Sequence, residues 1–219
     1  MKFQCVTAIG IVSLLGACGG GSGVDHPELP LDEVPVPVIA ASEAPSFASS
    51  DAATTEAGAA LARAEPLDLT PLDEIPASGT AAYSGVLVLN DADGTAMADA
   101  TVLGGVALAI TFDGAGSVDA TASNFRDLAD TPVGGALVLS DGQLSVGSDS
   151  GSLAGSFTGR LTDVGPPGVD ADYDYSLSAL GIYSGDDIAV VQLLTNGDAL
   201  EVGGATLHGV EGAATLEKD

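Results

Sequence analysis

Residues 106–112 read VALAITF: Val106, Leu108, Ile110 and Phe112 fall on one side of an extended chain, and Ala107, Ala109 and Thr111 on the other. Side chains alternate faces with a period of two only in a strand, so this segment predicts a strand with one apolar face. The pattern returns twice. In LAGSFTGRL, residues 153–161, Leu153, Phe157 and Leu161 share a face with Gly155 and Gly159, opposite Ala154, Ser156, Thr158 and Arg160. In DYDYSLSAL, residues 172–180, Tyr173, Tyr175, Leu177 and Ala179 oppose Asp172, Asp174, Ser176 and Ser178.

Between such segments the chain carries turn chemistry: DGAG at 113–116, SDGQ at 140–143 and NGD at 196–198. Runs bounded this way give about eight strands, near 81–90, 102–112, 117–123, 135–140, 143–147, 152–162, 172–180 with 187–195, and 204–217. The division between the seventh and eighth stays open. An antiparallel meander with no helix inside it must dispose of two exposed edges, and closure removes them. The expected fold is therefore all-β, an up-and-down barrel of about eight strands whose interior is just filled by side chains.

Upstream the texture differs. From Gly19 to about Ala77 the chain is rich in Pro, Ala, Glu, Asp and Ser, and closely spaced prolines favour extended backbone over helix. Residues 18–77 read as a tether and 78–219 as the barrel domain. Within the tether, residues 49–66 carry a Ser/Asp cap, an alanine-rich body and a terminating proline, which predicts a short helix over 50–65. Its apolar side chains are mostly methyls, so burial would contribute little.

The first 17 residues combine Lys2 with an apolar run from Val6 to Leu15, too short to span a bilayer and of the length of an export signal. The closing residues Leu15-Gly16-Ala17-Cys18 resemble the lipobox of bacterial lipoproteins, in which the cysteine sulfur receives diacylglycerol before cleavage on its N-terminal side. The other reading is an ordinary signal cut at a small-residue site. Cleavage before Cys18 would remove Cys5, leaving neither a free thiol nor a disulfide to support an exported domain. Several acyl chains anchor firmly where one holds marginally. Gly19 stands where lipoproteins retained in the inner membrane usually carry Asp, so the expected location is the outer membrane, with the cell surface as a further expectation.

The chain holds 5 Lys+Arg against 31 Asp+Glu, a net charge of −26. Such a surface repels nucleic acid and anionic lipid heads, which excludes the first as a partner. An acidic solvated surface suits high ionic strength.

IPASGTAAYSG (75–85) and GSLAGSFTG (151–159) resemble the opening strand and the G-x-F-x-G strand of the barrel lobe of transferrin-binding protein B and its relatives, which include surface lipoproteins that bind complement factor H. TFDGAGSVDA (111–120) is similar to the second hairpin of that family. The resemblance covers about one lobe, after a lipobox and a tether in the same order. It implies a surface binding protein. A single lobe without a handle domain, without Trp and with only 4% aromatic residues points to a ligand other than transferrin.

NDADGTAMAD offers Asn90, Asp91, Asp93 and Asp99 as a partial calcium loop lacking the closing bidentate Glu; a polar loop is the competing reading, and no other cofactor is expected. Asp170, Asp172 and Asp174 share one strand face, expected to face water. GSDSG, residues 147–151, approaches a nucleophile elbow but has Asp149 where the serine belongs. A serine–histidine–acid relay in the barrel would rest on His208 alone, since His26 lies in the tether. Arg126 and Arg160 are expected to pair with carboxylates.

The leading expectation is a non-enzymatic, lipid-anchored binding protein whose loops near 90–100, 124–134 and 163–171 meet a protein or solute partner. The alternatives are a structural, periplasm-facing envelope lipoprotein with no specific ligand, and a hydrolase or lipid-modifying enzyme built around His208.

Overall fold

The alternating segments become neighbours in one closed sheet. A computed structural model of the chain describes residues 43–91, 102–113, 116–146, 151–164, 171–204 and 207–219. Its strands are β1 (Ser78–Asp91), β2 (Val102–Asp113), β3 (Ser117–Asp127), β4 (Pro132–Val146), β5 (Gly151–Val164), β6 (Ala171–Ser184), β7 (Val190–Glu201) and β8 (Leu207–Lys218). Each pairs antiparallel with the next, and β8 returns to pair with β1, so the barrel is closed with eight strands.

The inward faces are the ones the alternation predicts. Val106, Leu108, Ile110 and Phe112 are buried, as are Leu153, Phe157, Leu161, Tyr175 and Leu177. Together with Leu87, Leu137, Leu139 and Leu193 they form one continuous core. The opposite positions of β5 and β6, from Ser156 and Thr158 to Asp174, Ser176 and Ser178, face outward and are exposed.

The strand count agrees with the sequence reading, but the partition does not. Ser140–Gln143, read as a turn, lies inside β4. There the register slips by one residue against both neighbours, between Leu139 and Gln143 on the β5 side and between Val118 and Ala120 on the β3 side. The Asp-Gly pair therefore makes a bulge in a continuous strand. The two runs at 135–140 and 143–147 are one strand, and the run 172–180 with 187–195 is two, β6 and β7, joined by the turn at 185–188. Asn196–Asp198 is likewise no turn. It sits within β7 opposite Ser178, Leu177 and Ser176, and a Cβ on Gly197 would stand 2.1 Å from the Ser176 carbonyl. Glycine is needed there for a close backbone approach.

Part of the stretch read as tether is structured. From residue 43 onward the chain packs against the barrel, and the helix expected over 50–65 forms as α1 (Ser50–Ala64). Ser49 caps it, its hydroxyl accepting from the Ala52 amide at 3.1 Å. Upstream, Asn124 Nδ2 donates to the Ala44 carbonyl at 2.9 Å and Arg126 Nε to the Phe47 carbonyl at 3.3 Å. Pro45 lies so close to β2 that a Cβ on Gly105 would fall 1.8 Å from its carbonyl oxygen. Ala53 of α1 packs with Val86 and Leu103 from the outer faces of β1 and β2, and Phe47, Ala57 and Val88 flank them. Ala107, of outward parity, is buried as well.

Beyond α1 the chain reaches the opposite end of the barrel. The Thr70 amide donates to the Tyr183 carbonyl at 3.0 Å, and the Gly185 amide to the Asp68 carbonyl at 2.9 Å. Ile75 packs against the interior cluster. Residues 43–77 form a strap along the wall and across one end. Composition groups them with the tether because the strap is held through its own carbonyls and methyl groups, which leave no apolar periodicity.

Candidate functional site at one rim

In an up-and-down barrel alternate connections emerge at the same end. The β1–β2, β3–β4, β5–β6 and β7–β8 connections therefore share one rim, and the β2–β3, β4–β5 and β6–β7 connections the other. All three stretches nominated as contact loops fall on the first rim. The stretches 92–101 and 165–170 lie outside the described residues.

The stretch 124–134 is not an open loop. β3 continues to Asp127 and β4 starts at Pro132. The Asp127 carboxylate is consumed by the turn, accepting from the Ala129 amide at 2.9 Å and the Thr131 amide at 2.7 Å. Asp130 accepts from the Ser50 amide at the start of α1, and that hydrogen bond holds its carboxyl below the usual range. Asn124, Arg126 and Asp130 thus form the socket of the strap. Arg126 donates to the carbonyls of Phe47 and Asp130, and its charge also helps to lower the Asp130 carboxyl.

The described part of the rim carries a feature the sequence reading missed. Leu128, Leu200, Val202 and Leu207 are large aliphatic side chains, each at least 41% exposed, and Leu200 pairs directly with Leu207 across the end of the β7–β8 hairpin. The β7–β8 connection joins the rim by parity, and only the correct division between β6 and β7 reveals it. Aliphatic groups held in water at a loop cluster mark a contact surface more specifically than polar loops do.

The remaining candidates separate. Asp91 ends β1, opposite Val210, while Asp93 and Asp99 lie outside the described residues. Among the described residues no group of three or more His, Cys, Asp or Glu could hold a metal ion. Asp174 faces outward and receives a two-pronged ion pair from Arg160, at 2.7 and 2.9 Å, which lowers the Asp174 pKa and raises that of Arg160. Asp172 accepts weakly from the Asp163 amide at 3.4 Å; Asp170 and Cys18 lie outside the described residues.

His208 is buried inside the barrel near the rim, with Tyr173 edge-on at 5.6 Å. The strand ends that flank the GSDSG segment, Val146 and Gly151, belong to the opposite rim. His208 and those strand ends are therefore at opposite ends of a filled barrel.

The interior also holds an anomaly. The hydroxyls of Tyr83, Tyr175 and Tyr183 are buried with no hydrogen-bond partner among the described residues, and burial pushes all three phenols well above their ordinary pKa. A buried phenol usually finds a partner, and an orphan costs free energy that phenylalanine does not. Tyr83→Phe and Tyr183→Phe are each expected to leave urea-measured stability unchanged or raise it by about 1 kcal/mol. A loss above about 1 kcal/mol would mean that the hydroxyl is bonded in solution.

No protein-family model, no curated protein and no solved structure matches the chain.

Proposed function

We propose that this chain is a bacterial lipoprotein, anchored to the outer membrane through lipid on Cys18, whose barrel holds a rim of loops against a protein or solute partner. The exposed aliphatic pair Leu200 and Leu207, with Val202 in the turn between them, carries the reading, because it stands on a rigid, filled scaffold where the long β1–β2 and β5–β6 connections also emerge. The wall supports a barrel outside the bilayer. A membrane-spanning barrel is apolar outside and polar within, whereas β5 and the first half of β6 turn Ser, Thr, Asp and Arg outward over an aliphatic core. The lipobox-like Leu15-Gly16-Ala17-Cys18 supports the anchor, and the single lobe resembling transferrin-binding protein B supports a binding role.

Two measurements test the two halves. Mass spectrometry of the membrane-extracted protein should find diacylglycerol on Cys18, and Cys18→Ser should release the chain from the membrane fraction; an unmodified thiol there overturns the anchor. Affinity capture from host and medium proteins with the chain from Glu43 should recover a defined partner, and Leu200→Ser with Leu207→Ser should weaken that capture at least tenfold. Equal recovery by the variant removes the rim from the reading. Protease treatment of intact cells then separates a surface barrel, which is cut, from a structural periplasmic one, which is spared.

A further inference from the structure

We propose that the wall beside α1 is a second docking surface, and that its occupant is an amphipathic helix with basic flanks from another protein. The register of the sheet places the outward residues in rows that cross the strands. One row runs Leu180, Leu194, Ala213, Val88 across β6, β7, β8 and β1, and the next runs Ile182, Gln192, Thr215, Val86. These two rows make a charge-free belt around part of the wall.

α1 lies over one half of this belt. It covers Val86, which is buried, and reaches Leu103 on β2. The other half is bare. Leu180 is 54% and Leu194 64% exposed, beside Ile182 and the boundary residue Leu61 of α1. Between them runs a groove of about 190 Å³, lined without a single charged group and continuous with the helix-covered half through Leu61 and Ala213–Thr215.

Two features define the occupant. A closed barrel has no free strand edge to extend, so a partner engages this wall through side chains, and a helix laid across the strands is the element that already fills the adjoining half. The nearest charged groups above the belt are acidic, Glu211 one row up on β8 and Asp198 on β7 in the next row, both exposed. Arg63 is already engaged by Glu217 at 2.6 Å and Glu56 at 2.8 Å. A second copy of this chain, at −26, and an anionic lipid surface both meet like charge here, whereas Lys and Arg on the flanks of an apolar helix face meet opposite charge.

The test uses a fluorescent 18-residue Leu/Ala/Lys amphipathic peptide and the chain from Glu43, with binding read by anisotropy. Leu180→Ser with Leu194→Ser should weaken binding at least tenfold, while Val138→Ser, an exposed aliphatic site on β4, should leave it unchanged. Replacing the peptide lysines by glutamates should abolish it. All three changed positions are exposed, so the fold is expected to persist, and Leu194→Asp provides a second variant. Equal binding by the double variant reduces the effect to general charge attraction and overturns the proposal. So does sedimentation showing a dimer that the same double substitution disperses, which would assign the belt to a second copy. Partition onto phosphatidylcholine vesicles that the substitutions remove would assign it to a lipid surface and overturn it equally.

Discussion

A chain that begins at Ser78 is expected to be less stable than one that begins at Glu43 by about 2 kcal/mol or more, and to self-associate. Without residues 43–77 the barrel wall uncovers Val86 and Leu103, which are 2% and 3% exposed when the strap is in place. Burying a Val or Leu side chain contributes about 1.5–3 kcal/mol, so this pair alone accounts for about 3–6 kcal/mol. Freeing the strap recovers conformational entropy that offsets part of that sum. The newly bared side chains also adjoin the already exposed Leu180 and Leu194 through β8, which enlarges the apolar face beyond what an isolated domain keeps in water. Urea unfolding of the two chains measures the first effect and sedimentation the second. Equal midpoints and a monodisperse short chain would show that the strap is an ornament of the barrel and that domain structure starts at β1.

The second large effect belongs to the interior. Phe157 on β5 is completely buried between Leu139 of β4 and Leu177 of β6, both also fully buried. Phe157→Ala is expected to cost about 3–5 kcal/mol, because the closed sheet cannot collapse into the space left behind. That is a large share of a domain stability of about 5–15 kcal/mol. Its neighbour Thr158 faces outward and is exposed, so Thr158→Ala should change stability by no more than about 0.5 kcal/mol. The contrast tests the register itself, since a slip of one residue would exchange the two results. Denaturation midpoints of the two variants decide it.

The barrel was legible wherever one face of a strand meets only core and the other only water. β5 and the first half of β6 meet that condition; on β2 the strap covers the outer positions Leu103, Gly105 and Ala107, yet the contrast of Val106, Leu108, Ile110 and Phe112 with small residues between them still marked the inward set. β4 and β7 were harder because Asp141-Gly142 and Asn196-Gly197 are the same dipeptides that build hairpin turns. Their use inside strands depends on a bulge against β3 and β5, and on a close approach to Ser176, and both belong to neighbours distant in sequence. The strap was legible as a helix and illegible as a contact. Ser49 and Pro66 mark its limits locally, but its attachment uses Asn124, Arg126 and Asp130, some eighty positions downstream. At the rim, the nominated loops share one end because of strand parity, yet the aliphatic cluster of Leu200, Val202 and Leu207 emerges only once β6 and β7 are divided correctly.

The way the strap is fastened also decides how the molecule responds to a pull from its N-terminal side. Tension entering at Glu43 arrives first at single, spaced links: Asn124 to Ala44, Arg126 to Phe47, Asp130 to Ser50, and then the Arg63–Glu217 fork farther along. Such links give way one after another, as in peeling tape, while a sheet sheared along its length must break a whole ladder at once. If the proposed anchor lies upstream, a pull from that side would therefore peel this segment from the wall before any strand is disturbed.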